Sequence, residues 1–206
     1  MNLSLELQLE WNLMDASSNG HLVGRCCFGY YALVQYIPDP LGAFLNELRA
    51  ELVPGCKLRA HVTLLPPRQL QACQDELVQD LAPKIQRLSP FEVTIGDVQL
   101  FPGTNVIYLD LEHGRRAIEE YHKELSSGLM AYEEPFPFHP HITLAQELRP
   151  ETVAEKVELA RERWAAYRGS RSFAVHHVVF VRNSTPTNWD TLSEYELPET
   201  TLLRTA

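Results

Sequence analysis

The chain has 206 residues, of which 45% are apolar and 22% charged, ordinary values for a globular protein with a sizeable core. They exclude a largely disordered chain. Asp and Glu number 27 against 18 Lys and Arg, a net charge of −9. That balance counts against long, nonspecific contact with nucleic acid and against duplex DNA as a partner, while leaving room for a nucleotide or RNA end in a locally basic cleft.

The four cysteines, Cys26, Cys27, Cys56 and Cys73, show neither a CxxC pair nor zinc-like spacing. Two are adjacent, which suits no simple disulfide framework and points to a reducing compartment. No basic segment followed by an apolar run opens the chain, and no stretch approaches the ~20 apolar residues that span a bilayer. A cytoplasmic protein without a membrane partner, and a monomer, is expected.

Alternating Leu3, Leu5, Leu7, Leu9 and Trp11 predict an added strand in an N-terminal extension (residues 1–29), followed by a turn-rich loop over 15–20. Residues 30–37 (YYALVQYI) read as a strand ending at Pro38. Leu41, Phe44, Leu45, Leu48 and Leu52 have helical spacing, stopped by Pro54-Gly55. A short strand over 60–65 (AHVTLL) is closed by Pro66-Pro67. A second helix follows, with Leu70, Cys73, Leu77, Leu81, Ile85 and Leu88 on one face and Pro83 as a possible kink. Residues 91–100 (FEVTIGDVQL) form a strand bulged at Gly96.

The order then repeats. Residues 105–111 read as a strand, and Ile118, Tyr121, Leu125 and Leu129 as a helix. Residues 141–145 (HITLA) read as a strand, Val153, Val157, Ala160 and Trp164 as a helix, and 173–181 (FAVHHVVFV) as a closing strand. Both halves are strand, helix, strand, helix, strand, with repeats over about 30–101 and 104–182 inside a single unit of residues 30–206. In the tail, 183–206, Trp189, Leu192, Tyr195 and Leu197 mark a final strand or a surface segment.

Each middle strand carries one pattern: His61-Val62-Thr63-Leu64 and His141-Ile142-Thr143-Leu144. Residues i and i+2 of a strand share a face, so each copy aims an imidazole and a hydroxyl the same way. One His-x-Thr means little, because roughly one His-x-Ser/Thr is expected by chance in a chain with this many histidines. Two copies at equivalent places in a duplicated order are a different matter. Brought together, they suit phosphoryl transfer: a neutral His accepts a proton, a protonated His donates one, and Thr hydroxyls donate to phosphoryl oxygens.

These residues resemble the 2H phosphoesterase superfamily, nearest its 2′–5′ RNA ligase-like cyclic phosphodiesterase branch. The likeness runs over about 30–182 and is specific at HVTL and at HITL within FHPHITLA. It implies a bilobal, pseudo-duplicated α+β fold, with two antiparallel sheets lining a central cleft and helices packed outside. It implies His61 and His141 as general acid and base, Thr63 and Thr143 as phosphate-binding residues, and no metal or other cofactor. The implied substrate is a nucleotide or RNA end bearing a cyclic phosphate, such as a 2′,3′-cyclic phosphate, or a 2′–5′ linkage. A noncatalytic phosphate- or nucleotide-binding module using the same cleft is the alternative.

Other residues weigh less. His139-Pro140-His141 has a metal-ligand spacing that Pro140 weakens. Arg59, Arg68 and Arg149 flank the motif strands and could place positive charge at the cleft mouth, though solvated arginine is the default. Phe138, Tyr31 and Tyr36 could stack on a base, with core packing favoured. Cys73 reads as core, and Glu119-Glu120 and Glu133-Glu134 as solvated surface. His176-His177 straddle a strand, one packed and one exposed.

Overall fold

A computed structural model of the protein describes residues 29–185 and 188–199. The strand and loop expected before residue 29 lie outside the described residues. In chain order the elements are β1 (Gly29–Tyr36), α1 (Leu41–Leu52), β2 (His61–Leu70), α2 (Gln74–Ile85), β3 (Phe91–Leu100), β4 (Ile107–His113), α3 (Arg115–Leu125), a 3-10 turn (Gly128–Met130), β5 (Ile142–Ala145), α4 (Pro150–Ala166), β6 (Ser172–Val175), β7 (His177–Thr185) and β8 (Asn188–Glu196).

The strands form two antiparallel four-stranded sheets with matching orders, β2-β1-β7-β8 and β5-β4-β3-β6. The helices cover one side, and a large apolar core runs beneath both sheets, as the bilobal α+β expectation requires. Leu77, Leu81 and Ile85 of α2, Ile118 and Leu125 of α3, and Val157, Ala160 and Trp164 of α4 are buried at the spacing the sequence shows.

The connectivity differs from two side-by-side repeats in one respect. The first repeat's closing strand, β3, pairs with β4 and β6, in the sheet of the second repeat. The predicted closing strand of the second repeat breaks at His176. Its first part, β6, stays with β3, and its second part, β7, crosses to pair with β1. Each half therefore completes the other's sheet, and β3, β4, β5 and β6 lie in sequence between the two pairs of strands that make the first sheet.

Smaller departures have local causes. β2 continues through Pro66-Pro67 to Leu70, so Leu70 belongs to the strand and not to the second helix. The strand tolerates two prolines because it is an edge, where a missing N–H leaves no neighbour unpaired, and the β1–β2 register shifts there. Cys73 is not core: it is the half-buried N-cap of α2, with its N–H bonded to Glu76 at 3.0 Å in a capping box. Leu129 is exposed in the 3-10 turn after α3. The expected bulge at Gly96 is present as a register shift, and the Trp164 indole donates to the Gly96 carbonyl at 2.8 Å.

The turn from β1 into α1 depends on Gly42. Its N–H donates to the Pro38 carbonyl at 2.8 Å, and a Cβ there would fall 2.0 Å from the Ile37 carbonyl oxygen. Gly42→Ala must push α1 away from β1, so a loss of about 1–3 kcal/mol in urea unfolding is expected, as for other overpacked sites.

Candidate active site

β2 and β5, the strands carrying the two His-x-Thr patterns, are each the outermost strand of a sheet, and they contact one another. The structure thus brings both motifs together. His61 opens β2 opposite Tyr36, and Thr63 lies opposite Val34. His141 immediately precedes β5, and Thr143 lies opposite Tyr108. Directly opposed residues share a face, so both motifs look out from the sheet faces that the helices leave free. On the first sheet that face is apolar, with Ala32, Val34, Val179 and Val181 bordered by Tyr36 and Trp189. On the second, Tyr108 is followed along its strand by Asp110 and Glu112. The two carboxylates, Asp110 and Glu112, line a concavity of about 370 Å³ with Thr94, Asp97, Gln99 and Arg171.

The two imidazoles are held alike. His61 Nδ1 lies 2.8 Å from the Arg59 carbonyl and His141 Nδ1 lies 2.6 Å from the His139 carbonyl, each two residues upstream. A carbonyl only accepts, so Nδ1 carries the proton and donates, leaving Nε2 as the basic atom of the neutral ring. His141 Nε2 is 3.2 Å from the Thr143 hydroxyl.

Burial is the largest influence on both rings. It pushes His61 down to about 4; the Arg59 carbonyl opposes this, and the charges of Arg49 and His141 add to it. His141 is also lowered by burial, with the His139 carbonyl working against that, His139 itself and Arg115 adding to it, and Asp110 opposing it. Both shifts favour the neutral ring.

Helices from opposite halves hold the motif strands. Arg49 of α1 donates from Nη1 to the Thr143 carbonyl on β5 and from Nε to the Leu58 carbonyl at 3.3 Å. In return, His122 of α3 donates from Nδ1 to the Leu64 carbonyl on β2 at 2.8 Å. The His122 ring stacks on Phe138, at 3.8 Å between centroids, just before the second motif. Behind it, Glu134 lies 3.3 Å from His122 Nε2 and 2.6 Å from Arg68.

Beside His141, Phe101 and Tyr108 stack at 3.9 Å, with the His139 and His141 rings edge-on to both. His139 faces the Arg115 guanidinium and lies 3.7 Å from Asp110, with which Arg115 forms an ion pair. Among the described residues no group of three or more His, Cys, Asp or Glu is arranged to hold a metal.

The remaining candidates sort themselves. Arg68 is neither solvated nor at the cleft mouth: it is buried, bonded to the Pro66 and Met130 carbonyls, Ser126 and Glu134. Glu134 is correspondingly not free surface. Arg149 is exposed beside Glu151, and Arg59 lies over the Tyr36 ring at 4.0 Å next to His61. Tyr31 is core, stacked on Phe180, and Phe138 packs against the core rather than standing free. His176 is exposed and His177 half-buried. Sequence reasoning misses Arg49, His122, Asp110 and Arg115. Only Arg49 has a visible signal, a charge four residues after Leu45 and three before Leu52 on an apolar stripe.

A histidine near its ordinary value in the unfolded chain and near 4 when folded binds a proton more readily unfolded. Its neutral form favours the fold fully above pH 6.5, and that contribution is lost as pH falls towards 4. Urea unfolding at pH 7.0 and 4.5 should therefore show a smaller acid-induced loss of stability for His61→Asn than for the natural protein.

A family model described as the 2′-5′ RNA ligase superfamily matches residues 37–187. A protein of Geobacillus kaustophilus (strain HTA426) that carries the name phosphoesterase is 28% identical over 128 residues, 57% of this chain and 69% of its own. One of Oceanobacillus iheyensis with the same kind of name is 32% identical over 113 residues, 53% of this chain and 66% of its own. The crystal structure of E. coli LigT complexed with 3′-AMP shares the fold at 21% identity, with a TM-score of 0.57 over 84% of this chain and 99% of that one. A Thermus thermophilus protein shares it at 21% identity and a TM-score of 0.58, over 83% and 99%. With the duplicated motifs, the paired sheets and a match over most of its length, the chain belongs to the 2′-5′ RNA ligase superfamily.

Proposed function

We propose that the protein is a phosphodiesterase that needs no metal and opens a cyclic phosphate, such as the 2′,3′-cyclic phosphate of an RNA end, or cleaves a 2′–5′ linkage. Membership of the superfamily, and phosphoesterase names among its relatives, support hydrolysis of a phosphoester. The observation that carries the finer reading is the matched pair of imidazoles. Each has its Nδ1 committed to a backbone carbonyl two residues upstream, on contacting strands.

Water attacks phosphorus as one neutral Nε2 takes its proton, and the ester oxygen leaves with a proton from the other imidazole. Which imidazole serves as base and which as acid follows from the way the substrate lies between them. Thr63 and Thr143 share the faces of their histidines and donate to the non-bridging oxygens, where negative charge gathers. A bound phosphoryl anion favours the imidazolium, so the substrate itself raises the fraction of acid present. Asp97 and Glu112 on the second sheet, beside the Arg115-paired Asp110, repel a run of further phosphates, which favours a mononucleotide or a chain terminus over internal positions of long RNA.

The direct assay is hydrolysis of 2′,3′-cyclic nucleotides and of a short RNA ending in a cyclic phosphate, with chelator present and products read by phosphorus NMR. Turnover that survives chelation is expected. His61→Ala and His141→Ala should each lower kcat by about 10²–10⁴, the usual worth of a positioned acid or base, with the circular dichroism spectrum unchanged. Loss of all turnover in chelator would sink the metal-free reading; phosphate binding without turnover would favour a binding module.

Both imidazoles are depressed, so kcat/KM against pH should be bell-shaped, with its maximum below pH 6.5 and its acidic limb near the His61 value of about 4. The alkaline limb of kcat should lie at higher pH than that of kcat/KM, because bound phosphate raises the imidazole that donates. A profile flat from pH 4 to 9 would remove the two-histidine mechanism.

A further inference from the structure

Three cationic side chains are buried among the described residues: Arg49, Arg68 and Lys84. Arg68 is paired with Glu134 and Lys84 with Asp80. Arg49 is 5% exposed, and among the described residues no carboxylate pairs with it. Its partners are neutral: the Leu58 carbonyl on Nε, the Thr143 carbonyl on Nη1, and the Cys56 sulfur at 3.7 Å on Nη2. Two carbonyl dipoles and a sulfur take part of its hydrogen-bonding capacity, and among the described residues no opposite charge offsets it, an expensive state in a dry interior.

The position of this charge supplies the reason for it. Arg49 reaches from α1 across to the backbone of Thr143, and it is close enough to His61 to disfavour a proton there. It therefore lies against the second His-x-Thr strand with its charge in reach of the first histidine, where an anion in the cleft would meet its field. We propose that Arg49 is the buried counter-charge of the phosphoryl group, and that it also positions Thr143 for that group. This rests on reading the cleft as a phosphate site, and it adds a residue outside both motifs. The guanidinium acts through the backbone and through its field, without touching the phosphate, so it is a positioning residue. It has two separable effects: the fork orients the Thr143 strand, and the charge attracts the anion while keeping the unliganded His61 neutral.

Inorganic phosphate is the probe, titrated into the full chain by calorimetry and by thermal unfolding. The natural protein should bind it and unfold at a higher temperature in its presence. Arg49→Met removes charge and fork together, and the affinity should fall by about 30-fold or more, the scale for removing one partner of a buried charge pair. Arg49→Lys keeps the charge and breaks the fork. It should retain phosphate binding within about tenfold while kcat falls, because Thr143 is no longer held.

NMR titration of the His61 ring separates this from a purely structural role. In Arg49→Met its pKa should rise, and in Arg49→Lys it should stay near that of the natural protein. Equal phosphate affinity in the natural protein and Arg49→Met, or no phosphate binding by the natural protein, would overturn the proposal. If Arg49→Met fails to fold, Arg49→Lys decides: loss of phosphate binding with the charge retained would equally overturn it. Phosphate affinity, thermal unfolding and the His61 titration need no turnover; only the kcat arm does. Failure of the hydrolysis assay with Arg49-dependent phosphate binding intact would remove the reaction and leave this inference standing.

Discussion

Where β2 meets β5, side chains from the opposite half hold each strand: Arg49 takes the Thr143 carbonyl and His122 the Leu64 carbonyl. Edge strands ordinarily have carbonyl groups to spare, and here those spare acceptors become the attachment points. Because β2 begins at His61 and His141 immediately precedes β5, the separation of the two imidazoles is set by these cross-links as well as by either sheet. A small shift of α1 or α3 would change the spacing of the two imidazoles without any motif residue being altered.

Duplication gives the site its symmetry, and the surroundings then break it. Both histidines use the same backbone bond two residues upstream, which any pair of similar strand ends would supply. Around them, the first sheet offers an apolar floor with Tyr36 under Arg59, whereas the second offers stacked Phe101 and Tyr108 and the Arg115–Asp110 pair. Like groups in unlike surroundings acquire unlike proton affinities, which the proposed division into acid and base needs.

The parts of this arrangement written in the sequence are those with a period. Apolar spacing marks α1, the core of α2, and α4, and the strand pattern marks both motif strands to within a few residues. The alternation of strand faces is enough to put each imidazole beside its hydroxyl. What stays hidden depends on contacts between distant segments. Nothing local distinguishes Arg68 from a solvated arginine; its burial follows from a loop 66 positions later that delivers Glu134. Nor does alternation reveal which sheet a strand joins, so the exchange of β3 and the break at His176 leave no local trace. Pro66-Pro67 looks like an end because the edge position that tolerates it is a property of the assembled sheet.

The nested order of the strands also sets a schedule for assembly. All four strands of the second sheet lie within one contiguous stretch, whereas β1 must wait for β7, which follows that whole stretch, to gain its second neighbour. On a ribosome, the inner sheet can close while the outer one is still half made. The outer sheet then forms last around a finished partner, by pairing across almost the full described chain. Non-local pairing of this kind is slow. In the interval the open side of β1 is a place for another chain to add, and the rate at which β7 arrives governs how long that hazard lasts.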